Sequence, residues 1–423
     1  MFLLDLDDDL LYHTAESLVS ISDMVRFGMA ARRLQDLFGD KVRAEIHHHM
    51  ATTTLLGTFF SNSRLLRLRN LDLSECKSDD TSALSDALSD LLRGNRILNS
   101  LSIRDRLGES GARALALALH DNSMLTHLYL GWNGIGPEGA ASLADALVTN
   151  MVLTELDLEH NELGVDGAIS ISRALKTNNT LVELNLASNL IGNRGADALG
   201  EALVVNKTLE GLDIGCNGID NGGVACLGDA MRLNDTLNFI GLRDNDVGSE
   251  GTFILSNALK VNDAIITLEF SCNDIGDEGV VALCDALKVN KRVQYLVLES
   301  NDIGNEGASA LGEALNANTA LQTLGLAFNR IGDWGADDLG ESLKKNNTLT
   351  ELNLDYNDVK NMDTFAFGEA LQMNKVLKRL HLSGNNLRYV PHFDAVRSRV
   401  EIIGECDGSE SDGDHGESES ESE

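Results

Sequence analysis

Positive charge is scarce in this chain: 34 Lys and Arg stand against 66 Asp and Glu, a formal net charge of −32. That balance repels phosphate backbones and anionic lipid surfaces, which argues against nucleic acids and membranes as main partners. Long apolar runs are missing too. No stretch reaches the ~18 residues a spanning helix needs, so no transmembrane helix is expected. The opening residues MFLLDLDDDLL carry acids where a secretory signal has its basic region, so no signal peptide is expected. Cysteine is sparse and scattered. Cys76, Cys216, Cys226, Cys272, Cys284 and Cys406 form no C-x-x-C pair, a usage that fits a reducing cytosol or nucleus. The signatures of catalysis are absent as well: no G-x-S-x-G, no H-E-x-x-H and no G-x-x-x-x-G-K-[ST] occurs. The histidine triplet His47, His48 and His49 has no ligand-type neighbours and reads as a polar linker rather than a metal site. The chain is expected to be a non-enzyme with no cofactor and no metal.

What is present is a period. Asn133, Asn161, Asn189, Asn217, Asn245, Asn273, Asn301, Asn329, Asn357 and Asn385 recur every 28 residues. A second series runs out of phase with it, from Asn122 and Asn150 to Asn346 and Asn374. A fixed period of this size means stacked units, each touching only its neighbours. In LTHLYLGWN, Leu125, Leu128 and Leu130 precede Asn133. The L-x-L alternation predicts a short strand with one buried face. A glycine-rich turn follows, and then Ala140, Leu143, Ala146 and Leu147 fall at helical spacing. The Asn stands where the chain leaves the strand, and its amide can donate to and accept from backbone groups left unpaired there.

This pattern resembles the leucine-rich repeats of the ribonuclease-inhibitor type. Twelve units are expected, with strands centred on Leu71, Leu101, Leu128, Leu156, Leu184, Leu212, Ile240, Leu268, Leu296, Leu324, Leu352 and Leu380. The resemblance implies an α/β solenoid with a concave parallel sheet and convex helices. Geometry agrees, because strands stack about 4.8 Å apart and helices about 10 Å, so the helical side fans outward. Cys216 and Cys272 hold one repeat position two units apart, about 10 Å by strand spacing, too far for a disulfide.

The expected domains are 1–40, a helical module; 41–67, a linker; 68–402, the repeats with a C-terminal cap; and 403–423, a disordered acidic tail. Residues 1–40 resemble an F-box, the module that docks on the adaptor of a cullin-based ubiquitin ligase. Leu6, Leu10, Leu11, Leu18, Met24 and Val25 stand at the docking positions, and Asp7 replaces the usual Pro. The alternative is a helical cap that seals the first repeat. In the tail, Ser409, Ser411, Ser418 and Ser420 each have an acid three residues on, a pattern similar to acidophilic kinase sites. An acidic tail behind such repeats is also similar to Ran GTPase-activating proteins, for which Arg104 or Arg106 would have to serve as the catalytic arginine.

The concave face carries the strongest functional signal. Its outward positions hold the aromatics Tyr129, Trp132, Phe239, Tyr295, Phe328 and Tyr356. They also hold His127 and the acids Glu155, Asp157, Glu159, Asp213, Glu269, Glu299 and Asp355. Exposed aromatics are typical of binding hot spots. Aromatic anchors in an acidic trough are expected to take a basic protein partner.

Overall fold

The computed structural model describes residues 44–45, 69–74, 81–104, 106–360, 365–385, 396 and 398–404. The F-box-like residues 1–40, the histidine triplet and the tail serines lie outside the described residues. The fourteen described strands form one parallel sheet in sequence order. The expected strand centres pair in one unbroken register, Leu71 with Leu101, Leu101 with Leu128, and onward to Leu352 with Leu380. The sheet runs one strand further at each end. Ala44 pairs with Leu71 and Ile402 with Leu380. The first of these strands, Ala44–Glu45, falls in the 41–67 segment and lacks the L-x-L signature, so periodicity does not disclose it.

Each repeat closes its core in the same way. Leu128 and Leu130 from the strand bury against Ala140, Leu143, Ala146 and Leu147 of the helix Gly136–Thr149. Small residues let successive helices approach: a Cβ at Gly139 would stand 3.0 Å from the Ala112 methyl. No described helix is long and apolar enough to cross a membrane.

The two asparagine series are two buried polar ladders. In the first, Asn217 Nδ2 donates to the carbonyls of Leu186, Ile214 and Gly215 at 2.9–3.0 Å. Its Oδ1 accepts from Asn189 N at 2.8 Å and Ile191 N at 3.3 Å, both in the preceding repeat. The expected role holds, with the addition that each amide bridges two repeats. The second series has the matching task on the helical side. Asn206 Nδ2 donates to Leu175 O at 2.8 Å across the repeat boundary, and its Oδ1 accepts from Thr208 N and Leu209 N. It terminates the helix Gly192–Val205 and starts the return to the next strand.

Candidate protein-interaction face

The residue before each first-ladder Asn lies in the left-handed region. Trp132, His160, Ser188, Cys216, Asp244, Cys272, Ser300, Phe328 and Tyr356 have φ between 52° and 66°, and Gly384 has φ 70°. Non-glycine residues resist this conformation. Here the cross-repeat hydrogen bonds enforce it: Trp132 N donates to Glu159 O at 2.9 Å, and His160 N to Ala187 O at 2.9 Å. The side chains consequently form one file along the edge of the sheet.

That file places the aromatics in two stacks. Trp132, 43% exposed, stacks on His160 with centroids 3.5 Å apart and planes at 14°. The guanidinium of Arg104 lies 4.8 Å from the Trp132 ring centroid, a cation–π distance. Seven repeats further on, Phe328 and Tyr356 stack at 4.5 Å and 6°, and both are more than half exposed. A Cβ on Gly384 would run into the Tyr356 ring, so only glycine lets that ring lie flat there. Between the stacks, Cys216 Sγ donates to Asp244 Oδ2 at 3.1 Å. Cys216 and Cys272 are both free thiols.

The acids concentrate beside the first stack. Tyr129, Asp157, Asn185 and Asp213 are successive register partners. His127, Glu155, Glu183, Gly211 and Phe239 form the adjacent row. A cavity of about 300 Å³ opens between Tyr129 and Phe239, walled by Glu155, Asp157, Glu183 and Asp213. The Glu183 carboxylate lies over Gly211, in the space a Cβ would take. Burial raises the pKa of Asp157, and the charges of Glu159, Glu155 and Asp213 add to it. Burial raises Glu183 as well, followed by the charges of Glu155 and Glu210. Burial and a hydrogen bond to Glu155 push the Tyr129 phenol up to about 12. His127 Nε2 approaches Glu155 at 3.5 Å.

Part of this acidity serves the fold. Asp157 Oδ1 accepts from Glu159 N at 2.8 Å, Asp213 Oδ1 from Gly215 N at 2.9 Å, and Glu269 Oε1 from Ser271 N at 2.8 Å. Each acid thereby caps the end of its own strand. At the C-terminal end the negative charge is largely paired. Glu351 holds Arg379 and also His381 at 3.2 Å, and His381 lies 4.0 Å from Asp355. The Arg379 hydrogen bond lowers the pKa of Glu351. Glu299, raised by burial and by Glu269, meets Asn353 at 3.3 Å. Tyr295 is exposed on its own strand, away from both stacks. The expected residues thus split into an acidic half around Tyr129 and Trp132 and a charge-paired half around Phe328 and Tyr356. Sequence reasoning left His160 as plain surface and did not foresee the Arg104 stack. The signal for His160 was the position before the ladder Asn, which it shares with Trp132 one repeat earlier; Arg104, in the repeat before Trp132, stands at the position of Gly131.

Eight segments match the family model described as Leucine Rich repeat: residues 121–144, 149–172, 177–200, 205–228, 265–284, 289–312, 317–340 and 345–361. Among solved structures the chain is similar to an internalin from Listeria monocytogenes, with 19% identity and TM-score 0.49 over 81% of this chain and 82% of that one. It is also similar to TLR13 in complex with ssRNA13, with 17% identity and TM-score 0.44 over 80% of this chain and 48% of that one. A third likeness, to leiomodin-1 actin-binding site 2, has 21% identity and TM-score 0.30 over 36% of this chain and 87% of that one. No curated protein matches the sequence. The architecture is a leucine-rich repeat solenoid.

Proposed function

We propose that this solenoid is a non-catalytic recognition module of the cytosol or nucleus, close to the ribonuclease-inhibitor type, whose concave face takes a basic protein segment. The observation that carries the reading is the juxtaposition at its N-terminal half. The exposed stack of Trp132 and His160 belongs to the repeats of Tyr129 and Asp157, which with Glu155, Glu183 and Asp213 wall one cavity. A Lys- or Arg-rich segment would take the place of Arg104 on the Trp132 ring through cation–π contact and meet the carboxylates through ion pairing. An immobilised arginine-rich peptide tests this by surface plasmon resonance. Trp132→Ala should weaken binding by about 2 kcal/mol. Asp157→Lys with Glu159→Lys should slow association and flatten its salt dependence. Wild-type kinetics in both variants would remove the site from this half of the face.

In its narrower form the proposal makes the chain a substrate receptor of a cullin-based ubiquitin ligase. Residues 1–40 would dock the adaptor and the concave face would hold the target. Leu10→Asp with Met24→Asp should then abolish adaptor capture while far-UV circular dichroism stays unchanged. A wild-type protein that captures no adaptor leaves a scaffold with no ligase link. A Ran-type GTPase activator is the contrasting reading. It would draw Arg104 onto a nucleotide phosphate, and Arg104 instead lies on Trp132. Stimulated GTP hydrolysis that is lost with Arg104→Ala would favour it.

A further inference from the structure

The convex side of a solenoid is ordinarily its solvated side, and here one stretch of it is not polar. Trp334 opens the helix Asp333–Leu343 and is 80% exposed. The equivalent positions of the three preceding repeats hold Glu306, Glu278 and Glu250. Val281, two helices back, and Phe253, three helices back, share one register position, and both are substantially exposed. Between Val281 and Trp334 runs a groove of about 470 Å³, lined also by Ala310, with Asp285, Glu306, Glu313 and Asp338 on its walls. Its wall is firmly placed: Asn305 Oδ1 accepts from Gly332 N at 2.8 Å and Gly335 N at 2.9 Å, pinning the turn that presents Trp334.

We propose that this convex groove docks a cationic amphipathic helix of a partner protein, making the solenoid a two-faced scaffold. The groove runs between helices, and a partner helix packs into such a furrow by setting its apolar ridge between theirs. Val281, Ala310 and the Trp334 ring supply the apolar floor. The lining acids select the charge of the flanks. Lys288 is the one base among the lining residues, and it lies 3.8 Å from Asp285 and 3.7 Å from Glu313. Four carboxylates against one lysine favour Lys and Arg on the incoming helix. The same arithmetic disfavours two other occupants. A second copy of a chain at −32 would bring like charge to like, and so would the chain's own acidic tail.

The test uses the full chain and a Leu/Lys amphipathic peptide of about 18 residues, roughly 27 Å as a helix. Its Leu/Glu counterpart is the control. The chain has two tryptophans, so Trp132→Phe leaves Trp334 as the sole reporter. Binding of the Leu/Lys peptide should shift Trp334 emission to the blue, and the Leu/Glu peptide should not. In isothermal titration, Val281→Asp and Trp334→Ala should each weaken the Leu/Lys peptide about tenfold or more. Both positions are exposed, and far-UV circular dichroism checks that the variants fold. In a Trp132→Ala, Asp157→Lys background, which removes the concave site proposed above, the Leu/Lys peptide should still bind and Val281→Asp should still weaken it, which separates the convex groove from the concave reading. No emission shift, or equal affinity in Val281→Asp, Trp334→Ala and wild type, would overturn the proposal.

Discussion

Replacing Asn217 with Ala tests whether the first ladder holds the repeats together. Asn217 is 2% exposed, so no water replaces what it supplies. Its three carbonyl acceptors keep other donors. Leu186 O still receives Asn189 Nδ2, Ile214 O receives Asn245 Nδ2, and Gly215 O receives Ser188 N. The cost therefore falls on two N–H groups, of Asn189 at 2.8 Å and of Ile191 at 3.3 Å, which lose their acceptor. The first bond is strong and the second long, so the expected loss is about 2–3 kcal/mol. A urea melt followed by far-UV circular dichroism reads it. Asn217→Asp sharpens the argument. It returns an acceptor to both N–H groups but faces the carbonyls with negative charge. Burial among those carbonyls would raise the folded-state pKa of the new carboxyl above its unfolded value. The deficit should be largest above that raised pKa and should shrink as pH falls through it, because a protonated carboxyl can donate. A neutral Asn217→Ala, or an Asn217→Asp deficit independent of pH, would refute the ladder reasoning.

Asn206→Ala should cost a similar amount, because Thr208 N and Leu209 N share its Oδ1 in a site 4% exposed; the same melt checks it. In a spectrophotometric titration, Tyr129→Phe should remove a phenolate step near pH 12 rather than near the ordinary value of 10.0. Because that folded pKa is raised, the stability tied to the Tyr129 phenol is complete below the unfolded value. It is lost as pH rises from there through about 12. Glu351 has the opposite sign: its lowered pKa gives stability present above the ordinary glutamate range and lost as pH falls through the folded value. Arg379→Ala should move the Glu351 carboxyl titration upward by NMR. Gly384→Ala should cost about 1–2 kcal/mol for the left-handed backbone alone, and near-UV circular dichroism should report disturbance of the Phe328 and Tyr356 stack.

The fold was legible because its determinants recur. Twelve strand centres could be named from L-x-L spacing, and they pair in register from Leu71 to Leu380. The end strands at Ala44 and Ile402 were not, since a terminal strand has only one neighbour to satisfy and need not repeat the motif. The candidate face was legible as a set of positions. Its division into halves was not. That division depends on which acids meet Arg379 and which face mainly other acids, and such contacts span repeats. The left-handed backbone before each Asn was also hidden, because Trp, Cys, Phe and Tyr are residues that propensity would not place there. The convex groove has no periodic signature, because Trp334 stands alone at a position that holds Glu in the three preceding repeats.

Six ladder amides, Asn161, Asn189, Asn217, Asn245, Asn301 and Asn329, reach back to the repeat before them with the same two offsets, while Asn273, Asn357 and Asn385 keep only the second of the two bonds. Asn161 Oδ1 takes Asn133 N and Ile135 N as Asn217 Oδ1 takes Asn189 N and Ile191 N. A junction between units that share both bonds is therefore chemically similar to any other of that kind. Removing one whole unit of 28 residues would bring together two surfaces already made for each other, whereas removing half a unit would set an amide against a helix. Gene duplication and unequal crossing-over can lengthen or shorten such a chain in whole units without inventing a new contact. The reach of the concave face, and with it the distance between the two aromatic stacks, is free to vary in steps of one strand.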